Sequence, residues 1–263
     1  MTDGGSTVLD GGSESGNESA TPSGESAVPD GEPLLSVDGV HSYYGDSHIL
    51  EGVDLEVHEG EVVALIGRNG VGKTTTLRSI LQLTPPREGS VTFRGEELVG
   101  LDTHEVAQRG VGWVPEERRI FAQLSVAENV RAAVPESEDV DAGLERAFDR
   151  FPDLRERRAA DAGDLSGGQQ QMLAVARGLV GGNDLLLVDE PSEGLAPMIV
   201  DAVAEALADA AREATILLVE QNLPLALDLA DRFYVVDHGT VVDTGDVDAV
   251  DADSERLRRY LSA

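Results

Sequence analysis

A glycine-rich segment with a single lysine is the clearest candidate for chemistry in this sequence. Residues 67–74 read GRNGVGKT, follow the apolar run 62–66 and precede a helical pattern. Glycine lets consecutive backbone N–H groups turn towards one anion, and the start of a helix adds partial positive charge there. The alternative is an ordinary glycine-rich turn with an incidental lysine. Because Lys73 is the only lysine in the chain, we favour a phosphate site.

Two acidic residues follow a second apolar run, of the kind that forms buried strands. Residues 185–188 read LLLV and precede Asp189 and Glu190. This pattern is weak evidence by itself, but ligands of a parallel sheet lie at the carboxyl ends of its strands. With a nucleotide bound, Lys73 is expected to bridge the β- and γ-phosphates, and Thr74 and Asp189 to hold Mg²⁺. Glu190 is then expected to polarise the attacking water.

A third motif predicts that two chains act together. Residues 165–169 read LSGGQ and open a helical pattern. An exposed Ser-Gly-Gly helix start is another anion site, although a plain helix N-cap with flexible glycines has the same letters. This turn cannot easily reach, within one chain, the phosphate held by the first loop. The economical arrangement is a head-to-tail pair of chains, in which the loop of one and the turn of the other enclose each nucleotide.

With these three motifs, residues 34–263 resemble the ABC-transporter ATPase family. The resemblance implies an α/β fold of the P-loop NTPase type, with an antiparallel β subdomain and a helical subdomain at about residues 115–181. It implies ATP and Mg²⁺ as cofactors, and ATP hydrolysis coupled to solute transport. Catalytic roles fall on Lys73, Glu190 and Gln221, and metal binding on Thr74, Asp189 and Glu116. Nucleotide-binding roles fall on Tyr44, Gly67, Asn69, Gly70, Gly72, Lys73, Thr74, Thr75, Ser166, Gly167, Gly168 and Gln169.

Three segments are similar to one subfamily, the LivF-type ATPases. They are residues 113–121 (WVPEERRIF), 191–197 (PSEGLAP) and 218–222 (LVEQN). That subfamily powers uptake of branched-chain amino acids as one of two unlike ATPases. Residues 43–45 and 67–71 also look like those of near relatives for urea and short amides, so that alternative stays open. In this family Tyr44 matches the aromatic residue that stacks on adenine, and residues 192–197 match a loop that touches the other subunit.

Two positions depart from the general family pattern. Glu116 stands where most members have Gln, at the loop that couples nucleotide to the membrane subunit, and Gln221 stands where most have His, beside the γ-phosphate. The side chain of glutamine does not titrate, so it neither exchanges a proton nor carries a positive charge. Both changes resemble LivF-type chains, and both predict a weaker ATP site on this chain.

The charge balance bears on possible partners. The chain has 50 acidic and 20 basic residues, a formal net charge of −30. Such a surface repels nucleic acid and anionic membrane surfaces, so neither is expected as a partner. Many acids serve solubility in ordinary proteins. The loss of every lysine except Lys73 favours a second interpretation, adaptation to concentrated salt.

Composition and periodicity divide the chain. Residues 1–33, rich in Gly, Ser, Asp, Glu and Pro, are predicted to be a disordered acidic tail. Strand and helix patterns alternate over residues 34–263, which predicts a parallel sheet covered on both faces. A helical insertion is expected at about residues 125–162. Apolar stretches are short and a secretory signal pattern is lacking, which favours the cytoplasm.

The resemblance also implies partners. They are a second, unlike ABC ATPase, two integral-membrane permease subunits and an extracellular solute-binding protein, with this chain at the cytoplasmic face of the membrane. A soluble ABC ATPase acting on ribosomes or DNA is the alternative from another class. The single cassette, the lack of long heptad repeats and the acidic surface all disfavour it.

Overall fold

The computed structural model describes Met1, residues 31–250 and residues 254–261. Most of the predicted tail, residues 1–33, lies outside this part. The strands are β1 (Leu35–Tyr44), β2 (Ser47–Val57), β3 (Val62–Ile66), β4 (Glu88–Phe93), β5 (Glu96–Glu97), β6 (Val111–Val114), β7 (Leu185–Asp189), β8 (Thr215–Glu220), β9 (Arg232–Asp237) and β10 (Thr240–Asp246). The helices are α1 (Lys73–Ile80), α2 (Thr103–Gln108), α3 (Val126–Arg131), α4 (Val140–Arg150), α5 (Pro152–Glu156), α6 (Gly167–Leu179), α7 (Pro197–Ala210), α8 (Leu223–Leu229) and α9 (Glu255–Leu261). Within the described ranges, none of these helices has the length and apolar character that crossing a bilayer requires.

The larger sheet has six strands in the order β10-β9-β3-β8-β7-β6. Its strands run parallel except β10, which pairs antiparallel with β9. Every residue of β3, β7 and β8 is buried. Alternate residues of β3 belong to two separate cores: Ala64 and Ile66 to one, Val63 and Leu65 to the other. The predicted parallel sheet with both faces covered is therefore confirmed, because a strand buried on both faces has no polar alternation.

A smaller antiparallel sheet, in the order β2-β1-β4-β5, covers the face of the large sheet that carries Val63 and Leu65. The other face packs against α3–α6, which form the helical subdomain, and against α7 and α8. The helical insertion expected at about residues 125–162 is a set of three short helices. Pro135 lies between α3 and α4, and Pro152 begins α5, since proline cannot continue a helix but suits its first turn.

The β9–β10 hairpin supports the predicted phosphate loop. Its turn lies at His238 and Gly239, and both have positive φ angles. The N–H of Gly239 donates a hydrogen bond to the carbonyl of Val71 at 2.9 Å, and the carbonyl of Gly239 accepts a hydrogen bond from the N–H of Glu51 at 2.8 Å. The hairpin thereby joins the loop to the antiparallel sheet.

Candidate functional site

The glycine-rich loop leaves β3 and enters α1 through two positions that only glycine fits. At Gly72 the φ angle is +117°, and a side-chain Cβ would lie 2.7 Å from a methyl carbon of Leu50. At Gly67 a Cβ would lie 2.5 Å from the carbonyl oxygen of Val236. Without side chains at these two positions, the backbone of the loop can pass close to Leu50 and Val236 as it turns back over the end of β3. Of the other predicted loop positions, Asn69 and Gly70 are exposed at the tip, whereas Thr75 is buried in α1.

Lys73 lies inside this loop with all of its donors engaged. Its Nζ donates to the carbonyl oxygens of Gly67 at 2.8 Å and Arg68 at 2.9 Å. It also lies 2.9 Å from Oε1 of Glu190, with both side chains buried. An ammonium group has three N–H bonds and no acceptor, so these contacts saturate it. A phosphate that accepts a hydrogen bond from Lys73 therefore displaces at least one of these contacts.

Asp189 ends β7 beside the first turn of α1. Its Oδ1 accepts a hydrogen bond from the Thr74 hydroxyl at 3.1 Å, while Oδ2 is buried without a partner among the described residues. Burial raises the pKa of Asp189 to about 7, and the nearby charges of Glu190 and Glu116 also raise it. The hydroxyl and the unpaired carboxylate oxygen fit Mg²⁺, which takes oxygen ligands and keeps several waters. No cluster of three or more His, Cys, Asp or Glu side chains in the described ranges is arranged to hold a metal.

Glu190 follows Asp189 in an unusual backbone conformation. Its φ angle is +43°, and its N–H donates to the carbonyl of Val219 at 2.9 Å. A non-glycine residue in the left-handed region is costly and persists where its surroundings fix it. Glu193 lies one turn further on. Its pKa is raised because its carboxyl group hydrogen-bonds to Glu190, with partial burial and the charges of Glu190 and Glu116 acting in the same direction.

Glu220 is a site residue to which the sequence assigned no role. It ends β8, is 2% exposed, and its carboxylate accepts the N–H groups of Ser192 at 3.1 Å, Gln221 at 3.1 Å and Asn222 at 3.0 Å. It thereby joins the loop after Glu190 to the loop after β8. Burial raises its pKa, although these hydrogen bonds oppose the rise. An acid that ends an apolar strand, as Asp189 does, is the signal that identifies it.

The remaining predicted positions lie around this centre. Gln221 is exposed at the end of β8, and within the described residues its side chain makes no hydrogen bond. Glu116 is exposed after β6, close enough to influence the pKa of Asp189. Tyr44 ends β1 with 44% of its surface exposed. The Tyr44 hydroxyl accepts from Thr84 at 3.3 Å, and the Arg78 guanidinium lies 6.0 Å from the centre of its ring.

The Ser-Gly-Gly turn forms the start of α6. Ser166 accepts the N–H of Gln169 at 3.3 Å, and the side chain of Gln169 accepts the N–H of Ser166 at 3.1 Å, which is a capping box. Ser166 and Gly167 are exposed. Among the described residues, no hydrogen bond or ion pair joins residues 166–169 to the glycine-rich loop. The exposed turn is thus a separate surface from the Lys73 centre.

Replacing Asp189 with Asn is expected to stabilise the nucleotide-free protein, increasingly so as pH rises. The folded-state pKa of Asp189, about 7, exceeds its ordinary value of 3.8, so between these values folding takes up a proton. Stability from this group is therefore greatest at low pH and is lost as pH rises towards 7. The gain in unfolding free energy of Asp189→Asn should grow by on the order of 4 kcal/mol from acidic to neutral pH and then level off.

Urea unfolding at several pH values, without nucleotide or Mg²⁺, measures this gain. Asp153→Asn is the matched control, because Asp153 is exposed. A stability difference between Asp189→Asn and the parent that does not change with pH would contradict the assigned burial of the charge.

Comparison with known proteins agrees with this geometry. Residues 50–193 match the sequence family described as ABC transporter. The chain is 43% identical over 217 residues to the high-affinity branched-chain amino acid transport ATP-binding protein BraG of Pseudomonas aeruginosa, covering 81% of this chain and 93% of that one. It is 36% identical over 206 residues to a probable branched-chain amino acid transport ATP-binding protein, LivF, of Archaeoglobus fulgidus, covering 77% and 87%.

A solved structure described as the ATP-binding subunit of an ABC transporter superposes with a TM-score of 0.74 at 29% identity, covering 88% of this chain and 95% of that one. The α/β fold of the P-loop NTPase type that the sequence predicted is therefore confirmed, with its antiparallel β subdomain and its helical subdomain. From the family match, the relatives and the loop that holds Lys73, we conclude that the chain belongs to the ABC transporter family, as an ATP-binding ATPase subunit.

Proposed function

We propose that this chain energises uptake of branched-chain amino acids through separate permease subunits. The observation that carries the proposal is the meeting of Lys73, Thr74, Asp189 and Glu190 at one sheet edge, in a chain that is 43% identical to BraG. The charge of Lys73 and the N–H groups of its loop suit the phosphates of ATP. Tyr44, exposed at the end of β1, suits stacking on adenine.

In this proposal, hydrolysis requires that Lys73 exchange its contact with Glu190 for a contact with phosphate. Phosphate displaces the Glu190 carboxylate from Lys73, so that Glu190 becomes available to accept a proton from the attacking water. Thr74 and Asp189 would hold Mg²⁺, which when bound would neutralise charge on the phosphates. Metal binding requires Asp189 to be ionised, and the positive charge that arrives with the metal favours that form.

The exposed Ser166 turn suits the second nucleotide site of a head-to-tail dimer. We propose an unlike ABC ATPase as the other subunit. Two permease subunits and an extracellular solute-binding protein complete the complex, with this chain at the cytoplasmic face of the membrane.

Reconstitution in lipid vesicles with the co-encoded permeases and binding protein tests this proposal. Leucine, isoleucine and valine should stimulate ATP hydrolysis, whereas stimulation by urea or acetamide instead would favour the amide importer. Failure to associate with any permease would favour a non-transport ATPase.

We further predict that the two ATP sites of the mixed complex are unequal. The side chain of Gln221 carries no charge to offer the γ-phosphate, unlike a protonated histidine. A missing charge-assisted contact felt only in the transition state costs about ten- to hundredfold in rate. The site formed by the partner's phosphate loop and the Ser166 turn of this chain should therefore be the faster one.

Two variants of the reconstituted complex measure the inequality. Ser166→Arg blocks the faster site and Glu190→Gln the slower one, so Ser166→Arg should cost more activity. Gln221→His is the complementary variant and should speed the slower site. A greater loss from Glu190→Gln than from Ser166→Arg would reverse the assignment.

Adaptation to concentrated salt is a separate proposal, supported by the net charge of −30 and the single lysine. The thermal unfolding midpoint should rise between about 0.1 M and 3 M KCl, where the Debye length falls from about 10 Å to below 3 Å. Screening on that scale weakens repulsion between neighbouring surface carboxylates. A midpoint that is unchanged or falls over this range would exclude the adaptation.

A further inference from the structure

A cavity of about 370 Å³ lies between the helical subdomain and the large sheet, apart from the residues around Lys73. The last turn of α4 forms one side, and the carboxyl end of α6, the start of β7 and the end of α7 form the others. Ligand cavities in proteins have volumes of this order, with mostly apolar walls and a few polar groups that fix orientation.

Arg150 is a cationic group of this cavity whose ion-pair partner among the described residues, Glu213, lies beyond hydrogen-bond distance. It ends α4, and its side chain is only 17% exposed. Among the described residues its guanidinium makes no hydrogen bond, and its nearest acidic oxygen, Oε2 of Glu213, is 3.8 Å from its Nη2. Arg146, one turn earlier on the cavity wall, is by contrast paired with Glu138. A guanidinium presents two parallel N–H groups that match a carboxylate, so Arg150 has an unused carboxylate-binding face.

Five residues beside Arg150 indicate which kind of carboxylate ligand the cavity would suit. Leu179 and Ala214 are half-buried, and together with the buried Leu186 and Ala210 they form an apolar wall. Glu213 lies at the rim and is 77% exposed, so its carboxylate can turn towards a cation. A guanidinium, a carboxylate and an apolar wall within one cavity match the three parts of an aliphatic α-amino acid.

We propose that this cavity binds a small aliphatic α-amino acid. Arg150 binds its carboxylate, Glu213 its ammonium group, and the wall formed by Leu179, Leu186, Ala210 and Ala214 its side chain. Because α4 belongs to the helical subdomain and α7 packs on the large sheet, the bound amino acid joins the two parts. The inference rests on the cavity itself and does not depend on the proposed transport function.

Isothermal titration of the full chain with L-leucine tests the proposal. We expect saturable binding, about tenfold weaker with 4-methylpentanoate, which lacks the ammonium group, and about tenfold weaker with isoamylamine, which lacks the carboxylate. Arg150→Gln should weaken L-leucine binding by about tenfold or more. Arg131→Gln, which changes an exposed arginine of the same subdomain outside the cavity, should leave it unchanged.

Ala214→Leu provides a second variant if Arg150→Gln fails to fold. It keeps the charged groups and fills the apolar wall, so it should also weaken binding of L-leucine. Lack of saturable binding by the parent chain would overturn the proposal, as would undiminished binding by folded Arg150→Gln or by Ala214→Leu. Equal affinity for 4-methylpentanoate and L-leucine would overturn the assignment to an amino acid.

Discussion

Glu190→Gln in the isolated chain is expected to lower the rate of ATP hydrolysis by at least about a hundredfold while ATP stays bound. Glutamine keeps the shape of the side chain but cannot accept the proton of the attacking water. It also removes the anion that lies 2.9 Å from Lys73. Since phosphate no longer competes with a carboxylate for Lys73, ATP and ADP should both bind more tightly than to the parent. With ATP in place and turnover stopped, the chain should accumulate as a closed dimer.

Single-turnover hydrolysis, equilibrium binding of ADP and size-exclusion chromatography with ATP measure these three effects. Glu117→Gln is the matched control, because Glu117 is an exposed acid after β6 whose carboxylate pairs with Arg119. It should leave hydrolysis and binding unchanged. Hydrolysis by Glu190→Gln at the parent rate would remove Glu190 from its proposed role.

Lys73→Ala is expected to abolish measurable hydrolysis and to weaken ATP binding by about a hundredfold or more. The loop loses its buried cation, and the carbonyls of Gly67 and Arg68 lose the ammonium group that bridges them. Glu190 is left as a buried carboxylate without its partner, a change that destabilises proteins by about 3–5 kcal/mol when the pair is fully buried. Lower stability should therefore accompany the loss of binding.

Lys73→Ala combined with Glu190→Gln separates the two consequences. The double variant removes both charges, so it should recover most of the stability but none of the hydrolysis. Arg68→Ala serves as the control for charge, because it removes an exposed cation from the same loop and should change ATP affinity only slightly. If Arg68→Ala weakened ATP binding as much as Lys73→Ala, the general charge of the loop and not the position of Lys73 would determine affinity.

The local chemistry of the site could be predicted from the sequence because it depends on short segments. The spacing of glycines before Lys73 needs only the backbone freedom of those residues, and the structure gives Gly72 a φ angle that only glycine adopts readily. The unbroken apolar runs that became β3 and β7 predicted strands buried on both faces.

Helix boundaries were less predictable where packing decides them. The helical pattern expected at about residues 125–162 has breaks at which proline and the neighbouring helices impose turns. The cavity beside Arg150 was not predicted at all. Its wall combines α4, α6, β7 and α7, and no periodicity within one of these segments indicates how closely it approaches the others.

The sequence by itself determined which groups are available: one lysine in a glycine-rich loop, acids at the ends of apolar strands and a separate Ser-Gly-Gly helix start. Only the tertiary structure decided how they meet. Because β8 lies between β3 and β7, the loop after β3 and the acids that end β7 and β8 come together at one sheet edge. That order places Lys73 2.9 Å from Glu190 and buries Glu220 between the two loops it joins. It also removes Asp189 from water and so raises its pKa to about 7, because desolvation depends on what surrounds a carboxylate and not on its neighbours in the chain.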